Sequence, residues 1–542
     1  MKRALFIFFL FSLPIAQAQI VGPSESPFFS IRQNGVSTIV ANGDTVWTGP
    51  SLTMNIGNSL DWIAPSGLDS IDSGVGRAFS IAVNKDTVFA GLGFTSETLA
   101  GNQPAGYGYY ISTDGAEAWR FIDFPLDDQP QEICDPNSSE YYNPNSLEDY
   151  NPVCDLQFTY GGETYTRVRI TVPEQSPPYN VARKGNIMFS ASWASGLLRS
   201  TDFGETWGRV ILPPTNVDLL SPDQTYSWTS QFSFNGGSGV INRFDPRGDN
   251  NLLGFAVHID SQNRVWFGSA GGINVSENAL TAPLDSIIWR NYRTNGSSDG
   301  ILGKWIIEIK EDTTTGKIWM TNWIADGLDR FGVVATNDGG QTFERHLIGE
   351  KILGIGFKDG FIFVAGENGL FISSDDGNSW RKSPQIKSPN TFIKETAEFQ
   401  SVTATNDRVW IGTTDGIISS DDLGDTWEIT RVNFPLSGGN QYDPEAKSVK
   451  AYAYPNPYSP TQHELVRIRF EVENPGEVTI RIFDFGMNLV RDLGSYSANS
   501  TGAHEAVWDG VDGKGRNVAN GPYFYMIEGA GSSVNGKILL VD

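Results

Sequence analysis

The sequence predicts an all-β protein in which a large repeat domain is followed by a small β-sandwich. A motif of the form Ser-x-Asp-x-Gly-x-Ser/Thr-Trp recurs between residues 100 and 430, and residues 450–542 read as short strands separated by turns. The composition agrees, because 59 Gly, 15 Trp, 18 Tyr and 32 Phe suit many short strands joined by tight turns and argue against disorder.

A second repeated element, a β-rich segment with one aromatic residue at a fixed place, occurs seven times. Most copies follow a turn signal such as Asn-Gly-Asp or Lys-Asp-Gly. The aromatic residues are Trp47, Phe89, Phe189, Trp266, Trp319, Phe363 and Trp410. Several of their spacings are close to the ~40–50 residues of a four-stranded blade. The sequence therefore predicts a seven-bladed β-propeller followed by a small immunoglobulin-like β-sandwich.

The residues of the Ser-x-Asp-x-Gly-x-Ser/Thr-Trp motif are suited to a turn that reverses the direction of the chain. It is complete at residues 200–207, 373–380 and 420–427, nearly complete at 336–343 and decayed at 112–119. Its Asp, and more weakly its Ser, can accept hydrogen bonds from turn N–H groups, its Gly tolerates positive φ, and its Trp packs beneath the turn. We interpret these positions as structural: Ser200, Asp202, Gly204, Trp207, Asp338, Gly340, Ser373, Asp375, Gly377, Trp380, Ser420, Asp422, Gly424 and Trp427.

This motif resembles the Asp-box (bacterial neuraminidase) repeat of sialidases, sortilin-type receptors, photosystem II assembly factors and xyloglucanases. The resemblance covers roughly residues 30–430 and implies that each box lies on the outer hairpin of a propeller blade. Enzymes and binding proteins both use such blades, so the resemblance implies a fold rather than an activity.

The first residues predict export. Lys2 and Arg3 precede an apolar run from Ala4 to Ile15, and residues 16–18 (Ala-Gln-Ala) form a small-residue cleavage site. The run is shorter than the ~20 residues that span a bilayer. We therefore predict a signal peptide over residues 1–18, no transmembrane anchor, and an extracellular or outer cell-surface location.

The net charge limits the classes of ligand that we expect, and the cysteines indicate a disulfide. A formal net charge of −24 disfavours nucleic acid, whose binding needs Lys and Arg, and is compatible with calcium. Cys134 and Cys154 are the two cysteines of the chain. In an oxidising compartment they are expected to form a disulfide that closes a long loop, whereas a metal or catalytic pair would lack a nearby His.

Two long insertions interrupt the predicted propeller of residues 19–435, near residues 123–180 and 212–252. Insertions of this kind emerge from a propeller and often build its binding surface. They carry aromatic side chains suited to stacking on sugars or peptides: Tyr141, Tyr142, Tyr150, Tyr179, Tyr226 and Trp228. These residues are the candidate ligand-binding set, and packing of the loops against each other is the alternative role.

The C-terminal region has a different pattern. A polar linker at residues 436–449 is followed by a domain at 450–542 with no blade motif. Its predicted strands are Val466–Val472, Glu477–Phe483, His504–Trp508, Tyr523–Glu528 and Lys537–Val541. Short, turn-separated strands of this number are typical of an immunoglobulin-like sandwich.

Three segments of this domain carry a resemblance: YPNPYSP, WDGVDGKGRNVANGPYFYMI and GKILLVD. They are similar to the immunoglobulin-like module related to the flagellar-hook capping protein, and to the C-terminal sorting domains of type IX secretion cargo in Bacteroidota. The resemblance implies a domain that secretion machinery recognises. Pro522 departs from the family pattern, in which a β-branched residue is common. A purely structural sandwich is the alternative.

No catalytic set emerges from the sequence. The Phe/Tyr-Arg-Ile-Pro motif of sialidases is absent, and His258, His346, His463 and His504 have neither metal-ligand nor nucleophile–base spacing. We predict no catalytic residues, no metal site and no cofactor. The predicted function is a secreted or surface-exposed non-catalytic propeller that binds a glycan or protein ligand. The alternative is a xyloglucanase-like glycoside hydrolase with two carboxylates in its groove.

Overall fold

The computed structural model describes residues 31–55, 62–63, 65, 77–98, 101–127, 155–169, 173–228, 230–234, 237–241, 244–245, 248–388, 391–432 and 450–542. Within these residues the chain is all-β, with two short 3-10 helices at Asn250–Leu252 and Leu284–Ser286. No described helix has the length and apolar character needed to cross a bilayer.

The described strands form seven blades, three additional two-stranded hairpins and a C-terminal sandwich. Up to the third blade they are β1 (Thr38–Asn42), β2 (Thr45–Gly49), β3 (Thr53–Asn55), β4 (Trp62–Ile63), β5 (Arg77–Asn84), β6 (Thr87–Thr98), β7 (Gly101–Ser112), β8 (Arg120–Asp123), β9 (Leu156–Tyr160), β10 (Glu163–Arg167), β11 (Asn180–Lys184), β12 (Ile187–Ser192), β13 (Gly196–Ser200) and β14 (Gly208–Arg209). Up to the fifth blade they are β15 (Leu219–Leu220), β16 (Ser230–Phe234), β17 (Gly237–Ile241), β18 (Gly254–Ile259), β19 (Val265–Ser269), β20 (Gly272–Ser276), β21 (Trp289–Tyr292), β22 (Ile309–Asp312), β23 (Lys317–Asn322), β24 (Gly332–Thr336) and β25 (Glu344–His346).

The remaining strands complete the propeller and form the sandwich. Those of the propeller are β26 (Ile352–Lys358), β27 (Phe361–Gly366), β28 (Gly369–Ser373), β29 (Arg381–Lys382), β30 (Lys387–Ser388), β31 (Thr391–Phe392), β32 (Phe399–Ala404), β33 (Val409–Thr413), β34 (Gly416–Ser420) and β35 (Glu428–Thr430). Those of the sandwich are β36 (Ala451–Tyr454), β37 (Val466–Val472), β38 (Gly476–Phe483), β39 (Leu489–Ala498), β40 (Gly502–Trp508), β41 (Gly521–Gly529) and β42 (Ser532–Leu540).

Each propeller blade is an antiparallel meander whose strands follow one another in the chain. The described residues form seven such sheets, beginning at β1, β5, β11, β18, β22, β26 and β32, and β15 adds a fifth strand to the fourth blade. The first strands contact one another in ring order, and β32 of the last blade contacts β1 of the first. The all-β prediction, with a seven-bladed propeller and an immunoglobulin-like sandwich, is confirmed.

The repeated aromatic residue lies in the second strand of every blade and fills a seam between blades. Trp266, for example, is fully buried in a cluster with Ile309 and Met320 of the next blade. Equivalent clusters join all seven neighbouring pairs of described blades. Second strands are buried on both sides, so they are continuously apolar rather than alternating. Burial of one large ring per seam explains why an aromatic residue recurs once per repeat.

Hydrogen bonds and an apolar cluster close the ring between the first and last blades. Val36 N–H donates to the Thr413 carbonyl (2.9 Å), and Gly416 N–H donates to the Asn34 carbonyl (2.7 Å). The Asn34 side chain accepts from Val432 N–H at 2.8 Å. No described strand is exchanged between these two blades, and in every described blade the four strands of the meander are consecutive in the chain.

The described parts of the two insertions pack against the third and fourth blades. Hairpin β9–β10 is tied to the fourth blade through Tyr160, whose hydroxyl donates to the Ile287 carbonyl at 2.9 Å. The second insertion is held by Asn251, which is fully buried and hydrogen-bonds Asn274, Ser269 and the Pro213 carbonyl. Because a buried amide is costly without partners, this network fixes where the insertion sits.

The C-terminal domain is a two-sheet sandwich with strand orders β36-β37-β40 and β39-β38-β41-β42. Its core contains Trp508, Phe470 and Ile527, all fully or almost fully buried. Four of the predicted strands are longer in the structure, and β36 and β39 were not predicted. β39 is an edge strand whose exposure does not alternate regularly, so it lacks the period-2 signal.

Candidate ligand-binding face

One face of the propeller collects residues from the starts of first strands and the ends of second strands. In an antiparallel meander these two positions lie at the same end of the sheet, and the turn between the third and fourth strands lies at the other end. Tyr179 and Trp305 precede first strands, and Trp193 and Trp323 follow second strands. They all therefore lie on one face, opposite the Ser-x-Asp-x-Gly turns.

Two further rings reach this face through β-bulges. The pairing of β5 with β6 skips Phe79, and the pairing of β18 with β19 skips Phe255. A bulged residue is left out of the ladder and its side chain is re-aimed. Both side chains are half-buried and contact aromatic neighbours from other blades.

We call the resulting group the face cluster, which consists of Phe79, Tyr179, Trp193, Phe255 and Trp305. Phe255 is its centre: its ring centroid lies 5.2 Å from Trp193, 5.4 Å from Trp305 and 6.0 Å from Tyr179. Trp193 and Trp305 are 5.5 Å apart, and Phe79 is 6.2 Å from Tyr179. The cluster spans four blades and all five side chains remain partly exposed.

Polar and charged groups border the face cluster. The backbone of Trp305 pairs with that of Trp323, whose indole N–H donates to the Ile352 carbonyl at 2.6 Å. The Lys351 ammonium lies 4.5 Å from the centroid of the Trp323 ring and pairs with Glu367. An apolar platform with a few fixed polar groups at its edge is the usual construction of a ligand site.

Glu308 is one of the carboxyl groups at this end of the fifth blade. Burial raises its pKa, although Lys310 and the Ile355 N–H act in the opposite direction. Its Oε2 accepts from Ile355 N–H at 2.8 Å, and its Oε1 is 3.5 Å from the Lys310 ammonium. These contacts hold the carboxyl against the neighbouring blade.

A second aromatic group, the rim cluster, lies on the outer side of the propeller. It consists of Phe158, Tyr160, Tyr165, Tyr226, Trp228 and Phe244. Trp228 is its centre, with ring centroids of Phe244 at 5.0 Å and Phe158 at 5.4 Å. Trp228 is only 5% exposed, and the Tyr226 hydroxyl is engaged with the backbone of Leu219 and Ser221.

A cavity of about 490 Å³ adjoins the rim cluster, and Phe158, Trp228 and Phe244 form part of its largely apolar wall. Arg167 also lines it, but its guanidinium is held by both carboxylate oxygens of Asp127, at 2.6 and 2.7 Å. The described rim residues therefore contact both the insertions and the blades, and several of them also line this cavity.

The predicted ligand-binding residues thus separate. Tyr179 lies in the face cluster, and burial raises the pKa of its hydroxyl. Tyr226 and Trp228 lie in the rim cluster. Tyr141, Tyr142 and Tyr150, like the predicted disulfide of Cys134 and Cys154 and the signal peptide, lie outside the described residues.

Sequence reasoning missed four members of the face cluster: Phe79, Trp193, Phe255 and Trp305. One signal was available, because Trp193 and Trp323 each stand four residues after the repeated aromatic residue of their blade, Phe189 and Trp319. That offset places a side chain just beyond the second strand. The bulges that present Phe79 and Phe255 have no comparable mark in the sequence.

The Asp and Ser side chains of the Ser-x-Asp-x-Gly turns accept hydrogen bonds from within their own turns. In the turn at 373–380, Asp375 accepts from Ser379 N–H (2.9 Å) and from the Ser379 hydroxyl (2.6 Å), and Ser373 Oγ accepts from Gly377 N–H at 2.9 Å. Asp376 and Gly377 both have positive φ, 57° and 85°. Corresponding aspartate contacts hold the turns that contain Asp114, Asp202, Asp338 and Asp422.

The fourth blade contains a related turn that does not match the Ser-x-Asp-x-Gly motif. The Ser276 hydroxyl donates to the Asn278 side-chain oxygen (3.1 Å) and accepts from Ala279 N–H (2.9 Å). Asn replaces Asp here, and neither the Gly nor the Trp is present. The Ser-x-Asn spacing was the remaining signal.

Comparison with protein families finds a match within the C-terminal domain. Residues 458–533 match the FlgD Ig-like domain. No curated protein matches the chain.

Several solved structures are similar in fold. One is PorZ, described as an essential bacterial surface component of the type-IX secretion system of Porphyromonas gingivalis, with 11% identity and a TM-score of 0.33 over 94% of this chain and 75% of that one. Another is an ancestral GH74 enzyme, with 14% identity and a TM-score of 0.43 over 96% and 63% of the two chains. A third is YCF48 from Cyanidioschyzon merolae, with 13% identity and a TM-score of 0.40 over 72% and 97%. Similarity at this level concerns the fold alone.

Proposed function

We propose that this protein is a secreted or surface-exposed, non-catalytic binding protein whose propeller holds a glycan on the face cluster. The observation that carries the proposal is the arrangement of five partly exposed rings from four blades on one face. The seam residues Trp266 and Trp410, which pack between blades, are by contrast fully buried. Rings that stay half-exposed next to fixed polar groups are suited to stacking on sugar faces.

The ligand test is a glycan-array screen of the mature chain, with reducing-end release assayed on each polysaccharide that binds. We expect binding without release. Release of reducing ends would overturn the non-catalytic assignment. Absence of binding to every glycan would instead point to a protein ligand for the same face.

A glycoside hydrolase is the second candidate, and Glu308 is the observation that favours it. Its raised pKa is the property of a general acid. Hydrolysis also requires a second carboxyl group about 5–9.5 Å away across the substrate. In the structure the Glu308 carboxylate contacts Ile355 N–H and the Lys310 ammonium. The release assay with Glu308→Gln separates the two candidates, because an enzyme would lose its activity and a binding protein would keep its affinity.

We further propose that the C-terminal domain directs export as a sorting domain. Support comes from its match to the FlgD Ig-like domain and from the sequence segments that resemble sorting domains. The test is a reporter that carries a signal peptide and residues 450–542. We expect the reporter at the cell surface or in the medium of a bacterium with type IX secretion, and retention in the periplasm would contradict the proposal.

A further inference from the structure

The C-terminal domain contacts the propeller through a closed ring of four charged side chains. The propeller contributes Arg431 and Asp415, and the sandwich contributes Arg467 and Glu505. Successive oppositely charged atoms are 2.9 Å (Arg431–Asp415), 2.8 Å (Asp415–Arg467), 2.6 Å (Arg467–Glu505) and 3.4 Å (Glu505–Arg431) apart. All four residues are at most 7% exposed. Each charge therefore has two opposite neighbours, one in its own domain and one across the interface.

The groups around this ionic ring supply further hydrogen bonds, although Nε of Arg467 is buried without a partner among the described residues. The Thr391 hydroxyl donates to Glu505 at 2.6 Å, and the Phe392 carbonyl accepts from Arg467 at 3.1 Å. The Arg467 guanidinium also lies 5.2 Å from the Phe392 ring centroid. Thr391 and Phe392 form strand β31 of the propeller, so one short hairpin serves both halves of the ring. A buried ion pair is favourable only with such additional hydrogen bonds.

The charges balance within each domain as well as across the interface. The propeller half and the sandwich half each contain one arginine and one carboxylate, so neither half presents a net charge to the other. The docking surface is therefore neutral and buried on both sides, and its charges are paired across the interface. A further contact, from the Thr396 hydroxyl to Glu464 at 2.6 Å, lies at the edge of the same interface.

We infer that the propeller and the C-terminal domain form a self-sufficient protein–protein interface, so that the domain stays bound after the linker between them is cut. The partner that fits the propeller surface at Asp415, Arg431 and β31 is the sandwich face that presents Arg467 and Glu505. A chain cleaved at the linker would therefore still display both domains as one particle. This inference is independent of the ligand of the face cluster.

The test uses the full chain with a protease recognition sequence inserted within the linker at residues 436–449. After cleavage, size-exclusion chromatography and native mass spectrometry report whether the two fragments migrate together. We expect one particle that contains both fragments at micromolar concentration. Prompt separation of the wild-type fragments would overturn the inference.

Two variants test whether the ionic ring holds the fragments. Arg467→Met leaves Asp415 and Glu505 with one arginine between them, and we expect the dissociation constant of the cut fragments to rise roughly 100-fold or more. Thr391→Val removes one hydroxyl on the propeller side and is expected to give an increase of roughly 10-fold. It keeps the test decisive if Arg467→Met folds poorly.

The matched control is Arg481→Met, which breaks exposed ion pairs with Asp492 and Glu528 inside the same domain. We expect its cut fragments to stay together as in the wild type. Wild-type affinity in both Arg467→Met and Thr391→Val would show that the ionic ring does not hold the interface. Because no glycan is present, failure here is distinguishable from failure of the proposed binding function.

Discussion

The face cluster and the rim cluster are built from the same residue types, yet they differ in burial and in what lies around them. Trp228 of the rim is 5% exposed and enclosed by the insertions, whereas Trp305 and Trp193 of the face stay partly exposed where several blades meet. The difference teaches that position relative to the blades, rather than membership of an insertion, decides how far an aromatic residue is buried. Stability and ligand affinity should therefore respond to different substitutions.

Trp228→Ala should have the largest effect on stability. Removal of a buried indole leaves a cavity, and we expect the free energy of unfolding to fall by about 3–5 kcal/mol. Urea unfolding followed by fluorescence measures it, and ligand affinity of the folded variant should match the wild type. A loss of affinity without a loss of stability would reverse the roles of the two clusters.

Trp305→Ala should have the converse effect. A large ring of a binding surface contributes about 2 kcal/mol, so the affinity for the glycan should fall roughly 30-fold. Titration calorimetry measures this change. Phe485→Ala is the matched control, because Phe485 is 76% exposed on the C-terminal domain and its removal should leave affinity unchanged. Equal affinities for all three proteins would contradict the assignment of the face cluster.

Gly377→Ala should lower stability without affecting the ligand, because its turn lies on the opposite face. Its φ is +85°, and an added Cβ would lie 2.8 to 2.9 Å from His346 and Trp319 of the preceding blade. We expect a loss of about 1–3 kcal/mol in thermal or urea unfolding.

Gly360→Ala is the control that separates strain from crowding. Gly360 has a similar φ of +80°, but a Cβ there meets nothing within 4 Å. Its loss should be the smaller of the two. Equal losses would show that backbone strain alone accounts for the effect at Gly377.

Acid should weaken the turns with the smallest effect of this series. Hydrogen bonds from Thr206 lower the pKa of Asp202 to about 2. At Asp338 and Asp422 burial acts upwards, but bonds from Thr342 and Thr426 outweigh it and lower the pKa to about 2. A lowered pKa stabilises the fold above the usual aspartate pKa of about 3.9, and this stabilisation is lost as the pH falls towards 2.

The measurement compares wild type with Asp422→Asn by thermal unfolding at pH 6 and pH 3. Since these carboxylates are solvent-accessible, each contributes less than about 1 kcal/mol. We expect the difference between the two proteins to shrink at pH 3. A difference independent of pH would show that the negative charge of Asp422 does not contribute.

The sequence predicted most of the scaffold because each blade repeats a local pattern. All seven aromatic segments coincide with second strands, since burial on both sides demands an apolar strand with one large ring. Strand β39 escaped because an exposed edge strand carries no alternation. The face cluster could not be predicted in the same way. Phe79 and Trp305 stand on different blades and come to one surface only because the propeller closes into a circle of blades. Phe79 and Phe255 reach that surface through β-bulges. The ionic ring was not predicted for the same reason. Asp415 and Glu505 belong to two separate domains, and no local sequence pattern shows that they meet.

The way in which the ring closes has a consequence for how such a protein changes over generations. The four meander strands of each described blade are consecutive in the chain. The first and last blades meet through Asn34, Val36 and Thr413 without exchanging a described strand. Duplication or deletion of one contiguous gene segment would then add or remove a whole blade while the others keep their threading. Insertions in two connections can likewise diverge while the remaining blades stay regular. The architecture thus allows a new surface to arise through changes in a single segment of the gene.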